Sequence, residues 1–155
     1  MKYNESMKLT ISNIAFGGGE DQQTAALDRV SQCGVEGIVI APPTIWSDLP
    51  EITNVSERER KDRLKTMERE AKEYRKRLGD IGLVVVGLQS LTYATKGMAL
   101  FGSDNERERL AKHLEAQAIL AGNLGADSMA FGSPGLRNPG ELNGEQAMAT
   151  SSWKA

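Results

Sequence analysis

The chain has little of what metal centres, disulfide frameworks and membrane spans require. It contains one cysteine, Cys33, and one histidine, His113, in 155 residues. A single cysteine permits no intramolecular disulfide, and the pair excludes zinc-finger spacings and any His-rich metal cage built from this chain alone. No run of about 20 apolar residues occurs, which excludes a membrane-spanning helix of the usual kind. Residues Met1 to Lys8 are polar and lack the apolar core of a secretory signal, so a cytoplasmic location is expected. Charge of one sign is also missing: Lys+Arg 19 against Asp+Glu 21 leaves a net charge of -2, too little for a global attraction to nucleic acid or an anionic membrane. What is present is 39% hydrophobic and 26% charged residues, enough for one domain with a core and too much for disorder.

Four short apolar runs read as buried strands: Leu9 to Phe16, Gly37 to Ala41, Leu83 to Leu88 and Ser128 to Phe131. Each is brief, rich in β-formers and bounded by Gly, Pro or polar residues. Helical patterns separate them. Asp21 to Cys33 places Ala26, Leu27, Val30 and Cys33 on one face and meets Gly34; Cys33 is expected to be a small buried residue. Leu64, Met67, Ala71, Tyr74 and Leu78 recur at spacings of 3 and 4, the stripe of a one-sided helix, with Ser56 and Glu59 as a capping box at its start. Ser103 and Glu106 repeat the device for a third helix, whose Leu110, Leu114, Ala118 and Ala121 point inward and which stops at Gly125. A weaker pattern runs from Glu145 to Trp153.

The order β-α-β-α-β-α-β predicts an α/β fold with a parallel sheet. A doubly wound sheet and part of an eight-stranded barrel both satisfy it. A complete (β/α)8 barrel takes about 250 residues, so the expectation is a half TIM barrel of about four parallel βα units over residues 1–155. Residues 140–155 then form an incomplete fourth helix, as in a truncated chain.

In either architecture ligands bind where loops leave the carboxyl ends of strands. Pro42 and Pro43 stiffen the turn that carries Trp46, a ring able to stack on a sugar face or to close the top by packing. Gln89 and Ser90 end the third strand, where an amide and a hydroxyl suit substrate hydroxyls or the loop backbone. Phe131-Gly132-Ser133-Pro134 followed by Arg137 is an anion-site candidate or an ordinary β-to-α turn. Gly17-Gly18-Gly19 lacks the Lys-Ser/Thr of a phosphate cradle and reads as a flexible loop. His113 lies inside the third helix, away from every strand end, as a packing or surface residue. The tract from Glu57 to Arg77 holds 10 of the 19 Lys+Arg, but six acidic residues interleave with them. Glu57 with Lys61, Glu59 with Arg63, Glu68 with Lys72 and Glu73 with Arg77 are Glu-first i,i+4 pairs, the mark of a solvated face and not of a nucleic-acid stripe.

Four strand-end segments together resemble the sugar phosphate isomerase/epimerase family of xylose-isomerase-like barrels. They are Ile11-Ser12-Asn13-Ile14-Ala15; Gly34 to Pro42 with Ile45-Trp46; Gln89-Ser90-Leu91 with Leu100-Phe101-Gly102; and Phe131-Gly132-Ser133-Pro134 with Arg137. The resemblance implies proton or hydride transfer between adjacent sugar carbons on a divalent metal (Mn, Co or Mg). In full-length relatives that metal is held by Glu, Asp, His and Glu on the fifth to eighth strands. No residue of this chain matches those ligands, and Val39 stands where the subgroup has a Glu at the end of the second strand. The expectation is therefore a partial homologue without catalytic or metal residues, keeping the sugar-side residues Asn13, Trp46, Gln89, Ser90, Ser133 and Arg137 for a sugar or sugar phosphate. The competing class is a non-catalytic, self-associating half-barrel scaffold. An endonuclease-like repair fragment is disfavoured because a His- and Glu-rich cluster is missing.

Overall fold

The computed structural model describes residues 9–16, 20–93 and 95–151. Its sheet is parallel and ordered as the chain is, β1 (Thr10–Ser12), β2 (Gly37–Ile40) and β3 (Val84–Leu88) side by side. Helices α1 (Glu20–Gln32), α2 (Glu57–Asp80) and α3 (Asp104–Leu124) follow the three strands, and α4 (Gly144–Ser151) comes last. The expected mixed α/β fold is present, and its sequential strand order excludes a flavodoxin-like 2-1-3 arrangement.

Two expected strands differ. Only Thr10–Ser12 of the first run is extended, and Asn13–Phe16 winds into a 3₁₀ turn. The Asn13 side chain takes over the ladder's work there, its Oδ1 accepting from Ala41 N at 2.8 Å, while Ser12 Oγ accepts from Ile14 N at 3.2 Å. The run from Ser128 to Phe131 forms one parallel bridge, Leu88 to Met129, instead of a fourth strand. Its bonds are Leu88 N to Ser128 O at 2.9 Å and Ala130 N to Leu88 O at 2.8 Å. The pairing ends as the chain turns through Gly132-Ser133-Pro134, where Pro134 has no N–H to donate.

Helix boundaries follow local chemistry. Ser56 Oγ accepts from Glu59 N at 3.3 Å, and Ser103 with Glu106 forms the full reciprocal box, Ser103 N donating to Glu106 Oε2 at 2.8 Å. These contacts satisfy N–H groups that the first turn cannot pair internally, and they hold the Glu106 carboxyl below its ordinary range. α3 ends at Gly125, whose φ of 72° is left-handed and suits glycine. The α1 face is partly corrected: Leu27 is buried, but Cys33 is exposed. Gly34, at φ 78°, turns the chain just past the helix, so the side chain that returns to the core is Val35.

One face of the sheet is covered by helices. Ile38, Ile40, Val85 and Leu88 join Leu64, Met67, Ala71, Tyr74, Leu78, Leu120 and Leu124 in a single core. At about 25 cal/mol per Å2 of apolar surface removed from water, such side chains stabilise the fold by about 1.5–3 kcal/mol each. The other face carries Thr10, Ser12, Val39, Val84 and Val86, all half-buried or exposed. Val84 is 48% exposed and, next to the bridge, Met129 is 39% exposed.

Gly87 admits the bridged segment. A Cβ there would lie 2.6 Å from Ser128 Oγ and 3.3 Å from Ser128 O. Gly87→Val is expected to cost about 1–3 kcal/mol, the usual penalty of overpacking, and to detach residues 128–130 first. Hydrogen exchange at Ala130 N, bonded to Leu88 O, reads this directly; unchanged protection would show that the approach is not tight.

Candidate functional site

The carboxyl ends of the strands bring neutral polar side chains together in pairs. Asn13 leaves β1 fully buried. Its Nδ2 donates to Thr44 Oγ1 at 2.7 Å, and Thr44 Oγ1 in turn donates to Ala41 O at 2.8 Å. Asn13 thus clips the end of β1 to the turn after β2. That turn is stiff as expected: Pro42–Thr44 is 3₁₀, and Trp46 N donates to Pro42 O at 2.8 Å.

Gln89 continues β3, its N donating to Ile40 O at 2.8 Å. Its Nε2 donates to Ser12 Oγ, bridging from the third strand to the first. Ser12 shares its sheet face with Thr10, two residues earlier, so this pair stands on the face opposite the helix-packed core, beside Val39, the register partner of Ser12. Ser90 follows with φ 53°. For a residue with a Cβ this left-handed conformation costs about 1–2 kcal/mol. It turns the chain so that Tyr93 N donates to Ser90 O at 3.0 Å. Further along, Thr92 Oγ1 and Ser133 Oγ share a hydrogen bond, tying the loop after β3 to the turn after the Met129 bridge. The exposed Arg137 guanidinium lies 6.0 Å from the Phe131 ring centroid, within reach of a cation–π contact.

Trp46 does not join this cluster. It is buried against α2, edge-on to Tyr74 at 5.9 Å and 70°, and its Nε1 donates to Glu70 Oε2 at 3.2 Å. The loop reading of Gly17-Gly18-Gly19 lies outside the described residues. Asp48 and Glu51, the nearest acidic residues in the second loop, are exposed.

A support that sequence reasoning missed lies behind the third loop. α3 buries Leu110, His113, Gln117, Leu120 and Leu124, spaced 3, 4, 3 and 4. The expected inward Ala118 is exposed and Leu114 half-buried, because the true stripe passes through two polar side chains. His113 Nε2 lies 2.7 Å from Leu91 O, and Gln117 Nε2 donates to the same carbonyl at 2.9 Å. A carbonyl oxygen has two lone pairs, and both are used. His113 Nδ1 is buried without a partner among the described residues, so an added proton would find no acceptor. Burial accordingly holds the imidazole pKa below its ordinary value, opposed in part by the Leu91 bond. This clamp sits one residue after the strained Ser90. Missed as well were Ser12, Thr44 and Thr92, the partners of expected residues; Ser12 stands beside Asn13 in the first strand-end segment and was the most accessible of them.

Among the described residues no group of three or more His, Cys, Asp or Glu is arranged to hold a metal ion. The strand-end donors are amides and hydroxyls, a poor match for a divalent ion that needs carboxylate or imidazole ligands, and no chemical step is derived through one. No helix among them is long and apolar enough to cross a membrane. Amides, hydroxyls and a guanidinium exchange hydrogen bonds without changing protonation state. Comparison with family models, with curated proteins and with solved structures finds no match to this chain.

Proposed function

We propose that the chain is part of a sugar phosphate isomerase/epimerase-like barrel, about four βα units of it, which binds a sugar or sugar phosphate at its strand ends and carries no catalytic metal of its own. The observation that carries this reading is the Gln89–Ser12 bridge on the open sheet face, at the carboxyl ends of β3 and β1. Neutral donors and acceptors on a half-buried sheet face suit the hydroxyl groups of a polyhydroxylated ligand. Sequential parallel strands and the Leu88–Met129 bridge, where a fourth strand would begin, support the barrel reading. Val39 then removes the carboxylate that relatives place beside the substrate. Ser133 and Arg137 supply the anion end, and Asn13 acts by holding the two loops together.

Titration calorimetry with a panel of ketose and aldose phosphates tests the proposal. Millimolar binding is expected, weakened about tenfold by Arg137→Ala, in line with the loss of one charge-assisted contact, and weakened again by Gln89→Ala. Arg69→Ala, on the far helix, serves as control. Isomerisation in the presence of manganese, cobalt or magnesium is expected to stay at the metal-only blank. Absence of heat with every sugar would overturn the binding reading.

The second reading, a self-associating scaffold, is favoured by the apolar groups left open on and beside the sheet: Val84, Met129 and Leu9, the last 58% exposed. Light scattering during size exclusion would then give a dimer that Val84→Lys dissociates. A monomer at high concentration sinks this reading and leaves the sugar-binding one standing.

A further inference from the structure

On the helix-covered side, beginning at the turn after β2 and running along α2, two depressions meet at Trp46. The larger, of about 780 Å3, lies between α1 and α2, with Trp46, Tyr74 and Ile81 in its floor and Asp28, Glu73 and Asp80 on its rim. The second continues along α2 past Ile52, with Asp48, Glu59 and Asp62 around it, and shares Ile45, Trp46 and Glu70 with the first. Together they form a groove along one flank of α2, from Glu59 to Asp80. At 1.5 Å per residue that is about 32 Å, too long for a metabolite and suited to a segment of polypeptide.

Its charge is one-sided. Among the described residues, seven carboxylates line the two depressions against two guanidinium groups, Arg63 and Arg77. Arg63 is already paired with Glu59 at 2.9 Å. The groove therefore holds more negative charge than the whole chain, whose net charge is -2. The compensating cations lie across the helix: Lys72, Arg75 and Lys76 surround a separate shallow site with Gly122 and Asn123. The mixed Glu/Lys tract of the sequence is thus sorted by the helix into an acidic flank and a basic one. The floor adds an independent mark. Tyr74 is 7% exposed, its hydroxyl is buried with no hydrogen-bond partner among the described residues, and the Arg77 guanidinium lies 5.2 Å from its ring centroid.

We propose that this groove is a docking site for a basic amphipathic helix of a partner protein, its apolar stripe over Trp46, Tyr74 and Ile81 and its Lys and Arg side chains along Asp28, Glu73 and Asp80. A helix lying in an apolar groove with complementary charge on its rim is a recurring mode of recognition, and the charge complementarity selects a cationic partner over an acidic one.

The test uses the full chain with Trp153→Phe, leaving Trp46 as its one tryptophan, and an 18-residue helix of Leu and Lys in amphipathic order as probe. Saturable change in Trp46 fluorescence is expected. Affinity should fall about tenfold in Asp28→Asn/Glu73→Gln/Asp80→Asn, a variant that leaves the Glu70 bond to Trp46 intact, and again between 50 and 300 mM salt, where the Debye length shortens from about 14 Å to about 6 Å. A scrambled peptide of equal charge should bind at least tenfold more weakly. Equal binding of the scrambled peptide would reduce the effect to bulk charge and overturn the proposal, as would binding indifferent to the triple variant. A dimer by light scattering that the triple variant dissociates would make the occupant a second copy, and would overturn the partner reading too.

Discussion

Acidification from pH 8 to pH 5 is expected to destabilise the fold through one side chain, His113. Its neutral form is favoured in the folded protein by burial, so as pH falls through the ordinary imidazole value of 6.5 the unfolded chain binds the proton first. Stability is therefore complete above that value and lost progressively as pH falls toward the lower folded pKa. The second group shifted downward by its surroundings, Glu106, acts in the same direction but only below its ordinary 4.5, so the two windows separate. Urea unfolding monitored between pH 8 and pH 5 reads the slope, which should vanish in His113→Leu. At pH 7, His113→Ala is expected to cost about 3 kcal/mol, combining a cavity with the loss of one donor to the buried Leu91 carbonyl. Release of that carbonyl also lets Ser90 leave its left-handed conformation, so on the sugar-binding proposal the variant should weaken binding at Gln89 more than at Arg137. A slope unchanged in His113→Leu would place the pH dependence elsewhere.

Asn13→Ala should be the most damaging change at the strand ends. The side chain is fully buried and serves two loops at once, accepting from Ala41 N at 2.8 Å and donating to Thr44 Oγ1 at 2.7 Å. Truncation leaves a buried backbone N–H without an acceptor, at about 1–3 kcal/mol, and the Thr44 hydroxyl retains its bond to Ala41 O. A loss of about 2–4 kcal/mol is expected, seen as a shifted urea midpoint with unchanged slope. Asn13→Asp separates the two bonds. It keeps the acceptor for Ala41 N and can accept from Thr44, but it buries a charge, so its cost should rise with pH through the carboxylate range. Equal stability of Asn13→Ala and the parent would mean that water satisfies Ala41 N, and the clip between β1 and the second loop would carry no weight.

By itself the sequence determined what depends on neighbours within one or two turns. The stripe Leu64, Met67, Ala71, Tyr74 and Leu78 is buried as its spacing requires, because residues three and four apart share a helix face whatever surrounds it. The two Ser-x-x-Glu starts and the Gly125 stop are likewise local hydrogen-bonding and φ problems. Strand order became narrow once short parallel strands alternated with helices, and Pro42-Pro43 stiffened its turn as composition alone predicts.

Tertiary structure decided whatever had its partner far along the chain. The inward stripe of α3 runs through His113 and Gln117 because Leu91 O, 22 and 26 residues away in sequence, accepts from both; a period count over apolar residues passes them over in favour of Ala118. Glu57 was expected to pair with Lys61 on its own helix, yet it meets Lys112 of α3 at 3.5 Å, since α2 and α3 pack side by side. Trp46 turned toward Glu70 and Tyr74, not toward the strand ends, because a rigid turn sets where a ring sits while the packed helix sets what it touches. The acidic groove has the same origin: a tract of ten basic and six acidic residues, mixed along the chain, shows an acidic side in space only when a helix divides it and α1 closes the other wall.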